Sequence, residues 1–341
     1  MKERLYEMDL CRVYATISIV VTHSFAPYSG AWPIPVESVY AYKCIGIFAV
    51  VFTLCLFVFI SGYVYSYQES VKPHIDKRWL IWKKFKRLII PCLFWGGLYV
   101  LLFGEEITSL KGIFAYFSGV GHLWFLPMLF WVFMFFLSIQ SKKQGKKLLI
   151  PLFLVSIITP NIMSLGVLSA LYYLVWFYLG YLIFKNRETI PSIPRTYIAL
   201  LSLALIIIFV SYVEVRPILN TLRDMGVIYK FFFQIAEHSI LFPVVLVGVA
   251  IVYLISLRIK RHNGVSGNET SKSFYIVKLI SQYSMGIYIF HDFVLEILYR
   301  YTDFLCSMQL YAPWLAFVLS ITLSLLFAII VSRVPYLRKT T

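Results

Sequence analysis

The sequence predicts an all-α, polytopic membrane protein of about ten transmembrane helices with both termini cytoplasmic. Three observations carry that prediction: composition, the lengths of the apolar segments, and the side on which the basic residues fall. Of 341 residues, 60% are apolar, 18% aromatic and only 14% charged. A soluble domain carries about a quarter charged residues, so a water-soluble fold is excluded.

A helix needs about 20 mostly apolar residues to cross the hydrocarbon core. Ten segments approach that length: Leu5–Ala26, Ala41–Tyr67, Leu88–Phe103, Leu123–Ile139, Leu148–Met163, Leu165–Phe184, Tyr197–Val213, Ile235–Leu257, Ser281–Thr302 and Ala312–Val331. The third, fifth and seventh are short. Turn chemistry at Thr159-Pro160-Asn161 separates the fifth from the sixth. With the N-terminus cytoplasmic, 24 of the 31 Lys and Arg residues fall in inner segments and 6 in outer ones, with Arg12 inside the first span. Lys/Arg-rich loops resist translocation, so this alternation supports an even count of spans. It also accounts for the formal charge of +15 without nucleic acid as a partner.

The first span does not read as a cleaved signal peptide. Glu3, Glu7 and Asp9 stand where a basic region belongs, and no A-x-A site follows. Five cysteines, Cys11, Cys44, Cys55, Cys92 and Cys306, sit singly in or beside apolar runs and read as small hydrophobes. The polar stretch Arg258 to Ser273 reads as a flexible connector. No repeat or fused soluble domain is visible, so residues 1–341 are expected to form one integral-membrane domain.

An ionisable side chain within a span is costly in lipid and is a functional hypothesis by default. The first helix concentrates them in Asp9, Arg12 and His23. Eleven residues at 100° each bring His23 to within about 20° of Arg12, roughly 16 Å further along the axis. Asp9 and Thr16 lie at i−3 and i+4 from Arg12, so one face carries a polar stripe from end to end. A buried Asp9–Arg12 ion pair with an interfacial His23 is the plainer reading of the same residues.

The spacing Arg12-x10-His23 resembles a signature of the acyltransferase-3 family, integral-membrane acyltransferases that modify surface polysaccharides. Other elements are similar and occur in the family's order: Phe59-Ile60-Ser61-Gly62-Tyr63, the basic run Lys83–Arg87 leading to Pro91, Gly121-His122-Leu123-Trp124-Phe125-Leu126, Phe177-x-x-Gly180-Tyr181, and Ser284-Met285-Gly286-Ile287-Tyr288-Ile289-Phe290-His291. The resemblance is weakest between Pro191 and Glu237, and it is to the form without a fused C-terminal extracytoplasmic domain.

The resemblance implies a bacterial inner-membrane enzyme that moves an acyl group, acetyl being expected, from cytoplasmic acyl-CoA to a hydroxyl of a surface or lipid-linked glycan. Acyl transfer to an alcohol needs a base, stabilisation of an oxyanion and placement of two substrates. His23 is the expected base or acyl relay. Arg12, with Asp9 as a further catalytic-site candidate on the same stripe, is expected to meet a phosphate or carbonyl oxygen of the donor. Lys83, Lys84 and above all Arg87 are candidates for the nucleotide end, the other reading being a topological anchor.

His122, Glu237 and His238 are expected near the level of His23, with one of the last pair a candidate to orient it. His291, with Tyr288 beside it, reads as a buried strut, with a place in the conduit as the other reading. Ser61 and Trp124 complete the candidates through their motifs. Tyr28, Trp32, Tyr40 and Tyr229 read as an interfacial belt, with sugar platforms as the other reading. No single helix carries a carboxylate–histidine pair at ligand spacing, so no metal is expected. A glycolipid transporter or flippase using the same stripe is the alternative function, and consumption of acyl-CoA separates the two. A structural export subunit, an amine acceptor and an oligomer stay open.

Overall fold

The computed structural model describes residues 4–32, 34–36, 39–73, 76–104, 110–140, 145–159, 166–191, 193–223, 226–263, 272–302, 305, 310–335 and 337. Pro160 and Asn161, Cys306 and residues 264–271 of the Arg258–Ser273 connector lie outside these. Among the described residues there is helix and no strand.

Each expected span falls on a helix. They are α1 (Tyr6–Ser24), α2 (Tyr40–Val71), α3 (Lys77–Phe103), α4 (Phe125–Gln140), α5 (Leu149–Ile158), α6 (Val167–Lys185), α7 (Arg195–Arg223), α8 (Val227–Asn263), α9 (Lys272–Arg300) and α10 (Ala312–Arg333). Seven, all but α1, α5 and α9, are long and apolar enough to cross a membrane. The exceptions have particular causes. α1 carries Glu7, Asp9 and Arg12, α5 has ten described residues, and α9 carries Lys278, Asp292 and Glu296.

Several helices outrun the segments expected from apolarity. α3 begins at Lys77 rather than Leu88, and α7 and α8 extend beyond both bounds. Apolarity marks the part of a helix that meets acyl chains, whereas the helix continues through residues such as Trp79, Trp82 and Lys83 that suit the interface. Within α3 the ladder widens to a π turn over Phe85–Ile89, where Ile90 N–H donates to Phe85 O. Pro91 has no N–H to offer Arg87, which explains why the regular pattern is given up there.

Side-chain contacts fix helix directions. Between α2 and α6, Tyr65 meets Tyr181, and Glu69 meets Lys185 at 3.7 Å. Between α1 and α9, Tyr6 stacks on Phe274, Asp9 accepts from Ser281, and Ser24 O accepts from Tyr299. Contacts advance in step along both pairs, so each pair is parallel, which requires an odd number of crossings between its members. The basic segments also gather in space. Lys260 at the end of α8 pairs with Glu7 at the start of α1 at 2.9 Å. That end is called the basic end below.

The core centres on α6 and α2, where Trp176, Phe177 and Tyr63 are fully buried, while α7 turns Leu200, Leu203, Ile206 and Ile207 outward. Two F-x-x-G-Y segments cross here. A Cβ on Gly62 would strike the carbonyl of Phe177, and one on Gly180 would strike the carbonyl of Phe59. Each glycine thus lets the other helix's backbone approach, the small-residue contact that replaces hydrophobic drive between helices in lipid. Gly180→Ala is expected to destabilise the fold by about 1–3 kcal/mol or more, because rigid backbone cannot yield as a side chain can. The detergent-solubilised melting temperature checks this. Gly97→Ala, whose new atom would meet only the Tyr116 side chain, its hydroxyl at 3.3 Å, should leave it near the parent value.

Candidate functional site

The site grows from the parallel pair α1 and α9. α1 presents Asp9, Arg12 and His23 on one face, and α9 answers with Ser281, Ser284, Tyr288, His291 and Asp292 at helical spacing. Near the basic end, Ser281 Oγ donates to Asp9 Oδ1 at 2.5 Å and receives Arg12 Nη1 at 3.0 Å. Arg4 Nε pairs with Asp9 Oδ2 at 2.5 Å, and Arg12 Nη1 lies 3.4 Å from Asp9 Oδ1. Asp9 is therefore a shared anchor for two arginines.

About three turns on, His23 Nδ1 donates to Asp292 Oδ1 at 3.0 Å. The other carboxylate oxygen, Oδ2, faces His122 Nδ1 at 2.9 Å, and His122 Nε2 lies 3.1 Å from Ile289 O. His291 fills the angle between them, its ring centroid 4.9 Å from that of His23 and 5.0 Å from that of His122. His291 Nδ1 meets Tyr288 O at 2.7 Å, so its proton sits there, and the buried Nε2 finds no hydrogen-bond partner among the described residues. Side-chain exposure is 1% for His122 and 4% for Asp292 but 20% for His23. The aspartate and its second histidine are sealed, and His23 keeps an open face. Trp32 stands edge-on beside it, 6.3 Å between ring centroids.

His23, His291 and Asp292 also bring one potential metal-ligand atom each within 4.8 Å of one another. The expectation drawn from single helices missed this, because the donors come from two. The 3.0 Å contact between Nδ1 and Oδ1 is that of a hydrogen bond, and an ion there would displace its proton.

A cavity opens at the basic end, with Arg12, Lys84 and Arg87 among its lining, together with Ser61, Gln68 and Ser284. Lys84 lies over the Phe133 ring at 3.6 Å. A second cavity is lined by Arg4, Asp9, Arg12, Lys72 and Lys83. Arg12 belongs to both walls. Tyr288 lines the first cavity while its hydroxyl donates to His122 O, so one side chain separates the cationic chamber from the histidine cluster.

Of the residues singled out from sequence, the structure thus gathers His23, His122, His291 and Tyr288 at one end and Asp9, Arg12, Ser61, Lys83, Lys84 and Arg87 at the other. It does not bring Glu237 or His238 to His23. Glu237 accepts from Tyr212 at 3.1 Å, and His238 meets Ile157 O at 3.2 Å with its ring against Tyr172. Membrane level alone suggested a proximity that helix packing does not provide. Trp124 is half-buried, with its ring contacts on Phe125 and Tyr173. His291 is buried, with Nδ1 on the Tyr288 carbonyl, and its ring is the third of the cluster. Asp292, the next residue on α9, is the hub, since its two oxygens meet His23 and His122.

A family model described as an acyltransferase domain, that of acyltransferase 3, matches residues 5–333. The chain belongs to the acyltransferase-3 family. No curated protein and no solved structure matches it. As an acyltransferase of that family, the chain has its family-like elements on the parts just described. Arg12-x10-His23 supplies one wall of the site, the two F-x-x-G-Y segments are the α2–α6 crossing, and the His122 and His291 elements meet at Asp292.

Proposed function

We propose that the protein transfers an acyl group, acetyl being the simplest, from cytoplasmic acyl-CoA to a hydroxyl of a lipid-linked or surface glycan. The observation that carries this is a single helix pair with a cation-lined cavity at its basic end and a histidine–aspartate cluster at the other. The positive-inside rule assigns the basic end, and with it both termini, to the cytoplasm of a membrane such as the bacterial inner membrane. Arg12, Lys84 and Arg87 suit the phosphates of CoA there, and the first chamber suits the arm that carries the thioester past Tyr288.

His23 acts as general base. Its Nδ1–H is held by Asp292, leaving Nε2 to take the proton of the acceptor hydroxyl. The alkoxide oxygen attacks the thioester carbonyl, the C–O bond forms, the C–S bond breaks, and the leaving thiolate takes the proton back from the imidazolium. Trp32 offers the acceptor sugar an apolar face beside the base.

The test uses purified protein in proteoliposomes with radiolabelled acetyl-CoA and a pool of lipid-linked glycan. Label in the glycan, with one CoA thiol released per group moved, is the expected result. Movement of glycolipid across the bilayer without acetyl-CoA consumption would replace this reading with a transporter.

A further inference from the structure

The opening turns of α3 precede its apolar part and divide into two faces. Leu80, Lys84 and Leu88 recur every four residues and turn inward. Leu80 and Leu88 are buried, and Lys84 lies over the Phe133 ring of α4 at 3.6 Å. Trp79, Trp82, Lys83 and Lys86, at i, i+3, i+4 and i+7, form a second stripe on the opposite side, and all four are exposed. Trp79 and Trp82 keep 54% and 53% of their surface open. We infer that this outer stripe is a binding site for the headgroup of an anionic phospholipid in the leaflet at the basic end.

The first support is charge. Six of the eleven residues from Lys77 to Arg87 are basic and none is acidic, so the segment carries no counterion of its own. Basic clusters beside a span are drawn to anionic lipid in this way. The second support is arrangement. Lys83 Nζ lies over the Trp79 ring at 4.7 Å, and Lys86 Nζ over the Trp82 ring at 4.9 Å, the same i, i+4 pairing made twice. Trp82 in turn stacks on Phe85 at 5.4 Å. A ring face steadies an ammonium without neutralising it. The stripe is therefore a built pair of cations rather than two loose side chains.

The level selects the ligand. The apolar part of α3 begins at Leu88, which puts the stripe at headgroup height, where indole rings settle and lysine stems reach toward water. Two ammonium groups and two indole N–H donors suit a phosphodiester, whose chains then run beside Ile90 and Phe94, both exposed further along α3. A zwitterionic headgroup sets its own cation against the lysines, so an anionic one is preferred. The inner face of the same turns supplies Lys84 to the first chamber, so headgroup and chamber are served by opposite sides of one helix.

The test uses the full chain in phosphatidylcholine proteoliposomes without CoA or acceptor, so its outcome is independent of the reading of the reaction. Phosphatidylglycerol or phosphatidylcholine, brominated near the headgroup end of its chains, is added at rising mole fraction. Tryptophan emission is read, because bromine quenches indoles that it contacts. Each basic residue at an anionic surface contributes about fivefold in affinity, so phosphatidylglycerol is expected to quench with roughly tenfold or greater preference. Trp79→Phe/Trp82→Phe should remove the excess quenching. Lys83→Gln/Lys86→Gln, which keeps both indoles, should bring the two lipids to parity. Lys146→Gln/Lys147→Gln, an equal loss of exposed charge in the Gly145–Leu148 turn, should leave the preference intact. Equal quenching by the two lipids in the parent chain overturns the inference. So does excess quenching that survives loss of both indoles, or an equal fall in both lysine variants, which would leave diffuse surface charge only.

Discussion

Replacing His23 with alanine is expected to lower acyl transfer by about 10²–10⁴-fold, the usual contribution of a positioned general base, while the protein still inserts and folds. The companion Asp292→Asn should approach the same loss for a different reason. An asparagine has one accepting and one donating end, whereas Asp292 now accepts from both His23 and His122. With its oxygen toward His122, the amide would donate to His23 Nδ1, moving the ring's hydrogen to Nε2 and removing the base. In the serine protease triad the analogous asparagine leaves the geometry in place and costs about 10⁴-fold by that route. Initial rates with labelled acetyl-CoA, beside size-exclusion profiles and melting temperatures, check both variants. Full activity in His23→Ala would sink the mechanism while leaving the family membership untouched.

The half of this site carried by α1 was legible in the sequence because helical periodicity is fixed locally. Asp9, Arg12 and His23 share a face at 3.6 residues per turn whatever surrounds them. The other half depended on which helix answers that face, and periodicity is silent on that. Glu237-His238 looked suitable as an adjacent acid and imidazole, yet α8 turns them to Tyr212 and Ile157. The usable signal was elsewhere. α9 repeats polar residues at Ser281, Ser284, Tyr288 and His291–Asp292, a stripe as long as that of α1, and both spans are odd in the order, hence parallel. Two matched polar stripes on parallel helices have a reason to pack together, since neither can face lipid. The same polarity is why α1 and α9 fail as apolar spans although they hold the site. The bounds of α3, α7 and α8 were misread for the converse reason, because interfacial turns are helical without being apolar.

At the basic end, Arg12→Ala is expected to weaken binding of CoA by about 10–100-fold, the range of roughly 1.5–3 kcal/mol for hydrogen bonds to a charged group. Arg12 is the cation common to the linings of both chambers, so a CoA phosphate or thioester oxygen entering either way meets it. Loss of fold is not the expected cause. Asp9 keeps Arg4 and Ser281 at 2.5 Å each, so removing Arg12 does not strand a buried carboxylate. Arg12→Lys should recover only part of the affinity, because an ammonium restores the charge but not the planar fork that engages two oxygens. Equilibrium dialysis with labelled CoA measures this without turnover, and Lys84→Ala should show a smaller loss, since Lys84 lines only one of these two chambers. Undiminished CoA binding in Arg12→Ala would separate the stripe from the donor and leave Arg12 as the partner that holds α1 to α9 through Ser281. A selective loss of CoA binding there, with His23→Ala binding CoA normally, would divide the stripe into a binding end and a reacting end, the division of labour that a reaction between a cytoplasmic thioester and an acceptor on the far side demands.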